Sequence, residues 1–107
     1  MRIRFERSGG LIGKRMVATV DTESLSEEEA RLLRSLVDAA RFFDLPPTIS
    51  APVRIPDQFQ YRLTVEVEGR RHTVEMSEAT APAELRPLLR RLTEVARSVP
   101  DAWRLED

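Results

Sequence analysis

Cysteine is absent from the 107 residues of this chain, which excludes a disulfide framework and any zinc site built on thiolates and fits a reducing compartment. Histidine occurs once, as His72, and neither a His-Glu-x-x-His pair nor a Gly-x-Ser-x-Gly elbow is present. Zincin-type metal binding and hydrolase-type nucleophilic catalysis are therefore not encoded in any form that spacing can show. Long apolar runs are missing as well, and the opening residues alternate with arginine, so no membrane span and no signal peptide is expected and the chain is assigned to the cytoplasm. Nor does one sign of charge prevail: 17 basic residues face 18 acidic ones. The bulk positive field that recruits nucleic acid is lacking. Lysine is reduced to Lys14, every other basic residue being arginine. Arginine is favoured at protein interfaces, although a G+C-rich genome produces the same bias.

What is present is periodicity. Met1, Ile3 and Phe5 alternate with Arg2, Arg4 and Glu6, the period-2 signature of a half-buried strand. Gly9, Gly10 and Gly13 follow and supply a turn, after which Met16, Ala18 and Val20 alternate with Arg15, Val17 and Thr19 in a second strand that pairs antiparallel with the first. Ser26 and Glu29 have capping-box spacing, and Glu27, Glu28 and Glu29 suit the positive end of a helix. Ala30, Leu33, Leu36, Val37, Ala40 and Phe43 form its buried face, and Asp44-Leu45-Pro46-Pro47 stops it. A proline-containing connection runs to Asp57. Phe59, Tyr61, Leu63, Val65 and Val67 then mark a strand, Glu68-Gly69 a turn, and His72, Val74 and Met76 the inward face of its partner. A second helix carries Leu85, Leu88, Leu89, Leu92, Val95 and Ala96, with its start blurred by Pro82 and Pro87.

The order strand-strand-helix thus occurs twice. It predicts an α+β fold, ββαββα, in which a four-stranded antiparallel sheet carries both helices on one face. Residues 1–97 make a single domain and 98–107 a tail, either docked or frayed. The other sheet face, with Arg2, Arg4, Glu6, Arg62, Thr64, Glu66, Arg71, Thr73 and Glu75, is wet or meets a partner.

Candidate chemistry is sparse. His72 lies on the apolar side of a strand and reads as structural. Ser8 is a turn residue, and Gly9-Gly10-Leu11-Ile12-Gly13 joins two strands without the helix that would cradle phosphate. The three consecutive glutamates are explained by helix capping. Arg86, Arg90 and Arg97 share a helical face, and Arg91 stands beside them, but Glu84 and Glu94 dilute the cluster into a solvated surface. No catalytic residue, metal ligand, cofactor or nucleic-acid partner is assigned. A binding function remains.

The ordered series Phe5-Glu6-Arg7-Ser8-Gly9-Gly10, Asp21-Thr22, Ser26-Glu27-Glu28-Glu29-Ala30, Phe42-Phe43-Asp44-Leu45-Pro46, Gln60-Tyr61, Arg71-His72-Thr73-Val74 and Leu85-Arg86-Pro87-Leu88 resembles the emfourin family from Met1 to about Thr93. The resemblance implies a small bacterial inhibitor of protealysin-like, thermolysin-type zinc metallopeptidases that blocks the active-site cleft without binding zinc itself. Such peptidases favour bulky apolar side chains just after the scissile bond, so a preorganised loop presenting one would avoid the ordering cost of a flexible peptide. Leu25, flanked by Ser24 and Ser26, is the first candidate; the commoner local motif at such a position is a hydrophobic staple, Leu25 packing on Ala30. Leu11 and Ile12 at the first turn are the second. Val53 and Ile55 in the proline-containing connection are the third. The alternative to inhibition is a non-enzymatic adaptor or interaction domain pairing through the sheet.

Overall fold

Alternating side chains build the centre of the molecule. In a computed structural model that describes residues 1–9, 15–50, 58–98 and 103–106, β1 (Arg2–Gly9) runs antiparallel to both β2 (Met16–Asp21) and β4 (Phe59–Val67), and β4 pairs with β5 (Arg70–Ser77). Registers put Phe5 opposite Ala18 and Leu63, and Ile3 opposite Val20 and Val65. Because paired residues share a face, one side of the sheet is continuous hydrocarbon. Leu33 and Val37 of α1 (Glu27–Ala39) and Leu85, Leu88, Leu92 and Ala96 around α2 (Arg86–Ser98) close over it in one core.

The four central strands and the helices on one face follow the expected plan, but with β3 (Thr48–Ile49) and β6 (Trp103–Glu106) the sheet has six strands rather than four, in the order β3-β5-β4-β1-β2-β6. At one edge β3 runs parallel to β5, so the sheet is mixed and not purely antiparallel. At the other edge the backbone of β6 pairs antiparallel with β2, from Val17↔Glu106 to Val20↔Trp103. The tail therefore contributes a strand.

The first helix also ends earlier than its prolines suggest. Ala40 is its C-cap, and Arg41 at φ 49° turns the chain into a 3-10 turn, Phe42–Asp44. Phe42, not Phe43, is the fully buried ring. His72 packs edge-on against Phe42 and donates from Nε2 to the Leu45 carbonyl at 2.7 Å, a structural role that fixes the proton on that nitrogen. The Glu68-Gly69 turn has both residues at positive φ, as a tight hairpin requires. Pro87 falls in the first turn of α2, where its missing N–H would have no helical partner.

On the sheet face away from the helices, Glu6, expected on a wet surface, is buried, and so is Val17, which stands opposite it. Arg15 pairs with the Glu6 carboxylate, and Arg4 and Arg62 each approach it at 3.8 Å. These long side chains lie across the strands and shield what strand periodicity alone leaves exposed.

Candidate functional site

Of the three apolar elements predicted to be presented to a partner, only the one at Leu25 falls within the described residues; Leu11, Ile12, Val53 and Ile55 lie outside them. Leu25 sits where β2 hands over to α1, in a passage fixed at both ends. Asp21, the last residue of β2, accepts a hydrogen bond from the Glu23 amide at 3.0 Å and starts a 3-10 turn, Thr22–Ser24. Thr22 is buried. Its amide donates to the Met1 carbonyl at 2.8 Å and its hydroxyl to the same oxygen at 3.1 Å, which ties the turn to the start of β1. Leu25 donates its amide to the Thr22 carbonyl at 3.2 Å.

Past that bond the backbone is extended for two residues, Leu25 at φ −101°, ψ 167° and Ser26 at φ −61°, ψ 155°. Ser26 is the N-cap of α1: its Oγ accepts from the Glu29 amide at 3.2 Å, and its carbonyl accepts from the Ala30 amide at 2.9 Å. Ser24 and Ser26 are exposed, whereas Leu25 is half-buried and packs against the core cluster. The result is a short extended segment held between two capped turns, with one apolar side chain between two hydroxyls.

One partner in this arrangement was invisible to local sequence rules. A capping box would send the Glu29 carboxylate back toward the Ser26 amide. Instead, Glu29 accepts two hydrogen bonds from Arg91 of α2, at 2.9 Å from Nε and 2.6 Å from Nη2. That hydrogen bonding holds the Arg91 guanidinium protonated even more firmly than usual. The two residues are 62 apart in sequence, so no spacing rule connects them. Arg91 is thereby removed from the solvated arginine surface to which its neighbours were assigned.

The opposite end of the sheet holds the anchors of the other two candidates. Gly9 pairs with Phe59, next to Gln58, while Arg15 precedes β2 and Ser50 follows β3. Segments 10–14 and 51–57 thus leave and re-enter the described fold at one pole, and Leu25 lies at the other. Along β1 and β2 the poles are about 20 Å apart at ~3.3 Å per strand residue. Near the far pole, the open sheet face carries a cleft of about 610 Å³ lined in part by Glu6, Arg15, Arg62 and Glu75, whose charges pair with one another. Among the described residues no group of three or more His, Cys, Asp or Glu is placed to hold a metal ion, and no helix is long and apolar enough to cross a membrane.

The emfourin family model matches residues 5–93. The chain belongs to the emfourin family. The match runs from Phe5 within β1 through most of α2, including the whole Asp21-to-Glu29 passage, and leaves β6 outside it. Emfourin membership suggests a protease-inhibitor role. No curated protein and no solved structure matches the chain significantly.

Proposed function

We propose that this emfourin is a stoichiometric, cytoplasmic inhibitor of a thermolysin-type zinc metallopeptidase, of the protealysin-like kind, and that Ser24-Leu25-Ser26 is the segment that enters the active-site cleft. The observation that carries the reading is the extended backbone at Leu25 and Ser26, pinned on one side through Thr22 to Met1 and on the other by the α1 cap. A peptidase binds its substrate extended. A segment already held in that shape gives up little conformational freedom on binding, and the surplus appears as affinity. Half-burial of Leu25 is compatible with this role: packing against the core rim fixes the side chain, and the exposed serines beside it offer hydrogen-bonding groups to the cleft.

Titration of a panel of thermolysin-like peptidases with the purified chain, following peptide cleavage, tests the proposal. Inhibition reaching completion near one equivalent is expected. Leu25→Arg should weaken it by about 30-fold or more, the ~2 kcal/mol of a hot-spot anchor, with the thermal transition preserved. Leu11→Arg and Ile55→Arg should stay within a few-fold of the parent. Undiminished inhibition by Leu25→Arg would reassign the element to the other pole, and no inhibition of any member would turn the reading to a non-inhibitory interaction domain.

A further inference from the structure

We infer that Arg91, acting through Glu29, is a positioning residue for the Ser24-Leu25-Ser26 segment, so that α2 sets how rigidly the segment is presented; this rests on the functional reading above. Glu29 has two ties of different reach. Its amide hydrogen-bonds Ser26 Oγ at 3.2 Å, within the first turn of α1, and its carboxylate takes the two Arg91 bonds from a helix far away in sequence. The carboxylate is well shielded, its side chain 16% exposed against 36% for Arg91. A planar guanidinium that meets a carboxylate through two donors fixes orientation as well as distance, which a single point charge does not.

The diverted carboxylate changes what holds Ser26. In a closed capping box, a helix end is stabilised only against itself. Here the first turn is fastened to α2, and α2 is fastened to the core through its own Leu88 and Leu92 and through Leu85 just before it, all fully buried. Ser26 and Leu25 lie three and four residues before Glu29, within reach of any movement of that turn. Loss of the fork should let the turn fray and return freedom to the segment, and that freedom must be given up again when the peptidase binds.

The test compares the parent, Arg91→Ala, Arg91→Lys, Glu29→Ala and the Glu29→Ala/Arg91→Ala double variant by inhibition kinetics, amide hydrogen exchange and thermal melting, with Leu25→Arg alongside. Either alanine variant should inhibit about tenfold more weakly, chiefly through faster dissociation, and the double variant no more weakly than either single one. Exchange should quicken at Glu29 and Ala30, whose amides bond Ser26, and stay unchanged in the central strands. Arg91→Lys should recover little, because it keeps the charge and loses the fork. Full recovery by lysine, unchanged exchange at Glu29 and Ala30, or exchange rising equally throughout the molecule would each overturn the inference. If Leu25→Arg abolishes inhibition while Arg91→Ala leaves it intact, the segment stands and Arg91 falls; if Leu25→Arg inhibits like the parent, the reading of the segment itself falls and takes this one with it.

Discussion

Tyr61 is the chain's one tyrosine, and its surroundings make it a probe. It packs 6.0 Å from Phe5 and 6.5 Å from Phe59, centroid to centroid, and Arg7 lies over the Phe59 ring at 4.2 Å. Burial pushes its phenol above the ordinary value, with the Arg7 charge opposing that shift. A raised phenol pKa means that the folded chain keeps a proton which the unfolded chain releases near pH 10. The associated stability is complete below that pH and is lost as pH climbs through the higher folded value. Ultraviolet titration of phenolate should therefore give a single midpoint above that of the urea-unfolded chain. Urea unfolding of the parent should weaken more steeply above pH 10 than that of Tyr61→Phe. A midpoint at or below the unfolded value would show the arginine, not burial, to be dominant.

Two glycines at positive φ separate crowding from backbone strain at the level of the elements they end. Gly9, at φ +85°, closes β1, and a Cβ there would stand 2.6 Å from the Gln58 carbonyl oxygen; Gly69, at φ +78°, turns β4 into β5 with nothing within 4 Å. Gly69→Ala should cost about 1 kcal/mol, the conformational penalty alone. Gly9→Ala must also move backbone, and should cost about 2–3 kcal/mol in urea unfolding at unchanged m value. The same elements show what the sequence could convey. β1, β2, β4 and β5 were legible because each has a buried face long enough to alternate, and α1 because Ser26 caps it and Leu33 and Val37 recur at helical spacing. β3 consists of two residues among prolines and has no period to read. The end of α1 was misplaced because Arg41, a residue with no preference for the left-handed region, makes the reversal that proline was expected to force. In the candidate site, Ser26 and Leu25 could be located from local rules, whereas the Glu29–Arg91 fork depends on two helices meeting and has no local signature. Glu6 was assigned to water for a related reason: its cover comes from Arg4, Arg15 and Arg62, on three different stretches of chain.

For the molecule as a whole, the backbone pairing of β6 with β2 places a strand from outside the family match against a strand inside it. The core cluster that runs from Ile3 to Ala96 already takes in both helices and the four central strands. Removal of residues 99–107 should thus leave a cooperative thermal transition while uncovering the hydrogen-bonding edge of β2. A free edge of this kind invites pairing between chains. Sedimentation of the truncated chain at rising concentration should reveal more association than the full chain shows; identical sedimentation of the two would show the edge to be protected in another way.

The roughly 20 Å between Leu25 and the far end of β1, joined to the lack of any native thiol, makes this molecule simple to wire. Cysteine introduced at the exposed Ser8 would be the sole site for maleimide chemistry. A fluorophore or a bead attached there would sit at the pole opposite the proposed Ser24-Leu25-Ser26 element and leave that element unobstructed.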